Sequence, residues 1–403
     1  MKAPRSLLVI GTALTILTLA TATVSAEDAS VEPVVLLPKD NPHPDLEQVA
    51  KSRGWTLEEA AAQQEAADAV GAIATRIAKQ SPEIFVGSVL STTPGGAPTL
   101  YVKGPADGFV RDLVAASKIK IVLADKQPYS FEELEARKLR VHHSLEAAGY
   151  RNVVTGANIA GGGIIPATVA EEPGLARASG EILAAVPGDL RSSVVLTVTE
   201  PSAFGDTGAF GGMWVTLNGG NDSTSGWTVR KWNGSTYVYG VTTAGHAANS
   251  GQMIVHPGHG THTFVYQSQH RGQYGDVQWH TTNQAEEALF YASSSTVRAA
   301  LYLEARSAIS VGETVCQYGR ASNYRDCDLD VHDASISCTI SGVFNDRLVQ
   351  MSAITSNRGD SGGPWFYDYK AYGSQKGWCG NRDAFSVADL YDEALGVEFQ
   401  IYE

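Results

Sequence analysis

The spacing of apolar residues divides the chain into two halves of different texture. In residues 27–200, apolar positions recur at helical spacing within segments rich in Ala, Glu and Lys. Thr56-Leu57-Glu58-Glu59 and Ser130-Phe131-Glu132-Glu133 each match a capping box, in which the first side chain and the Glu three residues later satisfy each other's backbone donors. The pattern therefore predicts helices from Thr56 to about residue 79 and from Ser130 to about residue 148.

Shorter elements fill the rest of the first half. Residues 84–90 and 98–103 predict a hairpin around Pro94-Gly95-Gly96. A short helix over 108–116 and strands over 119–124 and 152–154 complete an α+β pattern, a small sheet with helices on one face.

Two further expectations concern the same half. His142 and His143 are expected on the solvated face of the second long helix. Residues 157–200 contain Gly161-Gly162-Gly163 and scattered Pro, a pattern typical of a loose connection.

The second half, from about residue 204, is rich in Gly, Ser, Thr, Tyr and Trp. Short alternating runs such as residues 213–217 and 236–239 predict β-strands separated by turns. This half is therefore expected to be mainly β.

The first 26 residues have the pattern of a secretory signal peptide. Lys2 and Arg5 precede the apolar segment 7–19, and the small residues Val24-Ser25-Ala26 offer a cleavage site. An uncleaved anchor is the alternative. No later segment is long and apolar enough for a transmembrane helix, so we expect an exported protein whose cysteines meet an oxidising compartment.

Composition changes the picture in one respect. The 403 residues carry a formal net charge of −13, and only 18% of them are charged. A general nucleic-acid binder needs a basic surface, so we expect no nucleic-acid partner.

The strongest chemical signal is the segment Gly359-Asp360-Ser361-Gly362-Gly363-Pro364. A nucleophilic serine needs an accessible hydroxyl and backbone N–H groups aimed at the oxyanion that forms. Glycines on both sides allow the tight turn that this requires. We expect the N–H groups of Gly359 and Ser361 to form the oxyanion hole.

A serine nucleophile also needs a base and an orienting carboxylate. Thr243-Ala244-Gly245-His246 ends a strand-like run with a histidine among small residues, and Asp276 is the one aspartate between His246 and Asp326. The predicted roles are attack by Ser361, proton transfer by His246, and orientation of the imidazole by Asp276.

These motifs, with Val-Cys-Gln-Tyr-Gly-Arg at 315–320, resemble the chymotrypsin-like serine proteases, in particular the secreted bacterial branch of the streptogrisin and α-lytic protease type. The resemblance covers residues 204–403 and extends more weakly to the first half. It implies two packed antiparallel six-stranded β-barrels with the triad in the cleft between them. It also implies that residues 27–203 are a propeptide that assists folding and is then removed, with the mature N-terminus between about residues 200 and 207.

The resemblance also implies a disulfide between Cys316 and Cys327, which leaves Cys338 with Cys379. Zinc bound by all four cysteines is the alternative, although their spacing fits no common zinc site. The family often has an arginine where this chain has Gln317, facing the aspartate beside the serine. Arg320 is therefore a candidate partner of Asp360.

The same resemblance places four residues at the substrate pocket: Thr355, Arg358, Gln375 and Trp378. Thr355 is neutral, which disfavours selection of Lys or Arg. Lys376 and Trp378 stand where the family usually has small residues. The strand over 371–378 is expected to pair with the substrate backbone, and the pocket to favour small, polar or acidic side chains.

Taken together, these features predict a secreted, monomeric serine endopeptidase that acts on polypeptides, needs no cofactor and has its own propeptide as a partner. No membrane partner is expected once the signal peptide is removed. An esterase with the same triad and a non-catalytic binding protein on a protease fold are the alternatives. A metal site at His256, His259 and His262 is a further alternative to a plain Pro/Gly loop.

Overall fold

The computed structural model describes residues 34–402 except 177, 207–208, 211, 218–219, 257–259 and 283–285, so the predicted signal peptide lies outside the described residues. The α-helices are α1 (Leu46–Arg53), α2 (Leu57–Gln80), α3 (Gly108–Ala115), α4 (Phe131–Ala147), α5 (Ser179–Ala184) and α6 (Tyr391–Leu395). None of the described helices is both long and apolar enough to cross a membrane.

Strands alternate with helices in the first half and dominate the second. Those of the first half are β1 (Val34–Leu36), β2 (Phe85–Val89), β3 (Thr99–Lys103), β4 (Val122–Gln127), β5 (Val153–Gly156), β6 (Ile165–Ala170) and β7 (Val194–Thr199). Those that follow, as far as the active-site histidine predicted above, are β8 (Gly205–Asp206), β9 (Ala209–Phe210), β10 (Trp214–Leu217), β11 (Gly220–Thr224), β12 (Thr228–Trp232) and β13 (Tyr237–Thr243).

The remaining strands lie between the predicted histidine and the C-terminus. They are β14 (Gln252–His256), β15 (Gly260–Thr263), β16 (Val265–Gly272), β17 (Gly275–Thr281), β18 (Leu289–Ser293), β19 (Thr296–Ala299), β20 (Tyr302–Leu303), β21 (Cys316–Gly319), β22 (Tyr324–Asp326), β23 (Val331–Ile340), β24 (Val343–Met351), β25 (Ser361–Gly362), β26 (Pro364–Tyr367), β27 (Lys370–Trp378), β28 (Asp383–Val387) and β29 (Glu398–Phe399).

Capping boxes begin the two long helices, as predicted. The Thr56 side chain accepts the Glu59 N–H at the start of α2, and the Glu59 carboxylate accepts the Thr56 N–H. Ser130 and Glu133 make the same reciprocal pair at α4. Each cap satisfies backbone donors that a helix start would otherwise leave free, which is why the sequence marks these boundaries well.

The predicted hairpin is present, since β2 and β3 pair antiparallel and β4 adds to β3 in parallel. Strand β4 begins at Val122, later than the predicted start at Ile119. The Ser117 hydroxyl accepts the Ile119 N–H two residues on, a local turn that delays the strand.

The prediction of a loose connection over residues 157–200 is wrong. This stretch contains β6, α5 and β7, and β6 lies between β5 and β7 in one sheet. Both strands consist of apolar residues and threonine, which favour β-structure, but the three glycines and the prolines nearby masked that signal.

These strands continue a sheet of the second half. Strand β5 pairs antiparallel with β23, with Thr339 opposite Val153 and Ile336 opposite Gly156. The sheet order is β22-β21-β26-β27-β28-β24-β23-β5-β6-β7, so the two halves share one run of backbone hydrogen bonds. Across the same junction, buried Lys138 of α4 donates to buried Asp346 of β24 at 2.9 Å.

The prediction of a mainly β second half is confirmed. One part holds the sheets β11-β10-β14-β15 and β16-β17-β13-β12-β29, and the other holds the strands from β21 to β28. The described sheets stay open, however, and do not close into six-stranded barrels. Strand β5 of the first half pairs with the edge of β23.

The prediction that His142 lies on a solvated surface is wrong. It is fully buried between α4 and β23, with Nδ1 3.0 Å from Thr155 Oγ1 and Nε2 2.8 Å from Thr339 Oγ1. Burial lowers the pKa of His142 to about 3, so it is neutral in the folded protein. Its neighbour His143 is exposed, as expected.

A second attachment between the halves is ionic. Asp45, just before α1, is fully buried. Its carboxylate accepts hydrogen bonds from the two terminal guanidinium nitrogens of Arg298, at 2.7 and 2.9 Å. Arg325 approaches the same carboxylate at 3.2 Å, and the Asp368 N–H donates to it at 2.7 Å. Because Arg298 is also fully buried, each charge depends on the other.

We therefore expect Asp45→Asn to destabilise the full-length chain by roughly 3 kcal/mol, since it leaves the Arg298 guanidinium buried without its carboxylate. Urea unfolding measures this change. Glu398→Gln is the matched control, because the Arg230–Glu398 pair is partly exposed and its loss should shift the midpoint far less. An Asp45→Asn chain as stable as the control would contradict the anchoring role.

Candidate active site

The structure brings together the three residues that the sequence assigns to nucleophilic catalysis. The His246 Nδ1–H donates to Asp276 Oδ2 at 2.5 Å. On the other side of the ring, Nε2 lies 3.0 Å from Ser361 Oγ. His246 follows β13, Asp276 lies in β17 and Ser361 begins β25, so the site joins the two parts of the second half.

The register of β13 against β17 sets the histidine beside the aspartate. Thr243 lies opposite Gln278, and the Gln278 side-chain amide donates to the Ala244 carbonyl at 2.8 Å. A glycine is required at position 245, next to His246, because a Cβ there would lie 2.5 Å from Asp276 Oδ1. The small residues before His246 are therefore a requirement of close approach to the carboxylate.

The loop that carries Ser361 depends on glycine in the same way. Gly359 has a φ of +111° and Gly362 a φ of +89°, conformations that other residues rarely adopt. The Thr224 hydroxyl donates to the Gly359 carbonyl at 2.8 Å and so fixes the turn from β11. The assignment of the Gly359 and Ser361 N–H groups to an oxyanion hole stays a prediction.

Asp360, beside the serine, is held by backbone and not by Arg320. Its carboxylate accepts the N–H groups of Ala321 and Ser322 at 3.0 Å each and that of Asn357 at 2.7 Å. Burial raises the pKa of Asp360, and these hydrogen bonds oppose the rise.

Arg320 faces elsewhere, since its guanidinium lies over the Trp214 ring and donates to the Tyr318 hydroxyl. Backbone N–H groups therefore bind Asp360 in place of the expected arginine. The sequence around Asp360 contains no motif that indicates this.

Asp276 lies in an unusually cationic environment. It is fully buried, with Lys376 Nζ 3.2 Å from Oδ2 and Arg271 Nε 3.3 Å from Oδ1. Burial alone would raise the pKa of Asp276, but the neighbouring Lys376, His246 and Arg271 outweigh it and hold the pKa well below its usual range. The carboxylate is therefore ionised at any pH at which the protein could work.

Two of the four predicted pocket residues, Thr355 and Gln375, donate to one buried carboxylate, and a third, Trp378, reaches it through Ser356. Asp383 accepts the N–H groups of Thr355 and Ser356, the Ser356 hydroxyl, and the Gln375 amide. The Trp378 indole N–H donates to the Ser356 hydroxyl at 3.0 Å.

Asp383 is fully buried, and burial raises its pKa against the effect of these four donors. Arg358, the fourth predicted pocket residue, is exposed on the loop before Ser361 and is not among the groups that contact Asp383. No short motif surrounds Asp383, so long-range strand pairing was needed to find it.

Two short strands, β8 and β9, pair beside the triad. Strand β8 pairs antiparallel with β27, with Gly205 opposite Trp378 and Asp206 opposite Gly377. Strand β9 then pairs in parallel with β25, with Ala209 opposite Ser361. Ser361 is fully buried in this arrangement.

Both expected disulfides are present. Cys316 pairs with Cys327 and Cys338 with Cys379, and none of the four cysteines is free. Sulfur atoms bonded to each other are not thiolates, so they do not supply the ligands of the alternative zinc site. Asp45 lies beside the first bridge but is engaged by Arg298. Of the three histidines in the other metal hypothesis, His259 lies outside the described residues.

Comparison with known proteins adds partial likenesses only. No protein-family model and no curated protein matches the chain. Among solved structures, a Nocardiopsis protease is 19% identical and matches 47% of this chain and 98% of its own, with a TM-score of 0.38. A glutamic acid specific serine protease, described as using a histidine triad in substrate binding, is 16% identical over 47% of this chain and 99% of its own, with a TM-score of 0.36.

An α-lytic protease homologue is 17% identical over 48% of this chain and the whole of its own, again with a TM-score of 0.36. These three solved structures are serine proteases that each resemble about half of the chain. Their identities and TM-scores are low, so the functional proposal rests on the geometry of the site.

Proposed function

We propose that the protein is a serine endopeptidase of the chymotrypsin-like type. The observation that carries the proposal is the hydrogen-bonded series of Ser361, His246 and Asp276, with the carboxylate buried and ionised. Buried Asp276 fixes the tautomer in which His246 Nε2 is free to accept the serine proton.

The reaction follows from these positions. Ser361 Oγ attacks the peptide carbonyl while its proton passes to His246 Nε2. The C–N bond then breaks, the same proton goes to the leaving amine, and an acyl ester remains on Ser361. A water activated by His246 hydrolyses that ester and returns the serine. Apart from this water, the chemistry uses only side chains and backbone of the chain.

We further propose that the full chain is a precursor with a signal peptide at 1–26, a propeptide from residue 27 and a secreted protease domain at its C-terminal end. The two disulfides fit an oxidising compartment. Strand β8 ends beside Gly377 and β9 begins beside Ser361, which supports a cut between Asp206 and Ala209 by the chain's own triad. Full burial of Ser361 fits a cleft that is covered until this cut.

A non-catalytic binding protein on the same fold is the rival function. Its strongest support would be a serine that never reacts. A fluorophosphonate probe applied to the secreted form decides between the two, because only an activated serine forms the phosphonyl adduct.

We expect Ser361→Ala to abolish peptide hydrolysis, because the acyl ester has no other oxygen on which to form. Loss of a triad serine lowers turnover by about six orders of magnitude in a related mechanism. Hydrolysis of a peptide library by the secreted wild-type and variant forms measures this. Ser235→Ala is the matched control, because it removes an exposed serine hydroxyl on the turn between β12 and β13. Residual Ser361→Ala activity within about tenfold of wild type would reject Ser361 as the nucleophile.

The junction gives a separate prediction. The mature N-terminus should fall at residue 207, 208 or 209, at the end of the window expected from the sequence or just beyond it. N-terminal sequencing and intact mass of the secreted protein locate it. Ser361→Ala should accumulate as uncut chain, since its own triad performs the cut. A variant that is cut normally would assign maturation to another protease.

The pocket gives a third prediction, for which P1 denotes the residue before the cleaved bond. The half-buried Trp378 indole reaches Ser356 at the pocket, which supports a preference for small P1 side chains. Trp378→Gly should raise kcat/KM for P1 Phe relative to P1 Ala by at least about tenfold. Trp232→Ala, at an exposed position on β12, should leave that ratio unchanged. An unchanged ratio in Trp378→Gly would remove Trp378 from the specificity determinants.

A further inference from the structure

Lys376 contacts both ends of the proposed triad. Its backbone carbonyl lies 3.4 Å from Ser361 Oγ, while its ammonium lies 3.2 Å from Asp276 Oδ2. The side chain is fully buried on β27, beside the stretch that pairs with β8. A lysine withdrawn from water costs folding free energy, so its place beside the catalytic carboxylate needs an explanation.

We propose that Lys376 is a positioning residue of the triad: its ammonium holds Asp276 in place and, as a fixed positive charge, favours the neutral form of His246. The enzyme would then retain a working base at lower pH than the same triad without this lysine. This inference rests on the proposed function and deepens it.

The geometry gives the physical reason. Asp276 Oδ2 accepts His246 Nδ1–H and also faces Lys376 Nζ, so the two nitrogens lie within about 6 Å of each other. Both groups are withdrawn from solvent, where charges are little screened. A proton added to His246 places a second positive charge near the first, and the carboxylate must stabilise both.

The other groups around Asp276 act differently. Arg271 of β16 approaches Oδ1, but a quarter of its side chain is exposed and solvent screens it. His270 of the same strand accepts the Tyr274 N–H, and burial lowers its pKa, which favours the neutral ring. From β28 the uncharged Ser386 hydroxyl donates to the Asp276 carbonyl and lies 2.9 Å from its N. Lys376 is thus the fully buried cation among these groups.

Two variants separate charge from position. Lys376→Met keeps the length of the side chain but removes the charge and the donor. Lys376→Gln removes the charge but keeps an N–H donor that can reach toward Asp276. Lys370→Met is the control, because Lys370 lies on the same strand and pairs with Glu304 and Asp68, away from the triad.

The first readout is kcat/KM against pH for the secreted form of each variant. We expect the midpoint of the acid limb to rise by about one pH unit in both Lys376→Met and Lys376→Gln. The plateau kcat should fall by about tenfold in Lys376→Met and recover in Lys376→Gln, since a donor again positions the carboxylate. Lys370→Met should leave the midpoint unchanged.

The second readout needs no activity. NMR titration of the His246 ring in full-length Ser361→Ala chains, with and without Lys376→Met, should show the same upward shift. If neither Lys376 variant folds, the Nζ resonance of Lys376 in the Ser361→Ala chain should move with the midpoint of His246, because coupled charges sense each other's titration.

Each outcome has a distinct meaning. An upward shift of His246 in Lys376→Met, without any hydrolysis by wild type, would support the coupling while rejecting the protease function. An unchanged midpoint in both readouts, or a Lys376 resonance that ignores the titration of His246, would overturn the role of Lys376 and leave the protease proposal standing.

Discussion

The edge-to-edge pairing of β5 with β23 is the constraint on which the rest of the structure depends. It joins the α+β first half to the β-rich second half through one continuous set of backbone hydrogen bonds. It also sets the position from which the chain reaches β8, which pairs with β27, and β9, which pairs with β25.

The site shows how a buried carboxylate can be kept ionised. Asp276 has lost all contact with water, so its charge depends on the groups that surround it. His246, Lys376 and Arg271 supply that compensation from three different elements. Asp383 follows another solution, since it is surrounded by neutral donors and burial raises its pKa. The two aspartates, one in the proposed triad and one at the predicted pocket, therefore differ in how their charge is stabilised.

Local signals predicted what is determined locally. The capping boxes gave the starts of α2 and α4, and the Gly-rich serine loop pointed to Ser361 because glycine conformation is a property of the backbone itself. His142 was misplaced because an amphipathic face does not reveal which strand covers it. The backbone cage of Asp360, the carboxylate of Asp383 and the ammonium of Lys376 all depend on pairing between distant strands, which no window of sequence contains.

The attachment of the two halves has a consequence for a chain cut between Asp206 and Ala209. A single broken peptide bond would leave the β5–β23 hydrogen bonds and the buried Asp45–Arg298 pair intact. The cut would, however, change the molecularity of unfolding, because one folded complex would then dissociate into two polypeptide chains. The stability of this two-chain complex would fall on dilution. The stability of the uncut chain, in contrast, does not depend on protein concentration.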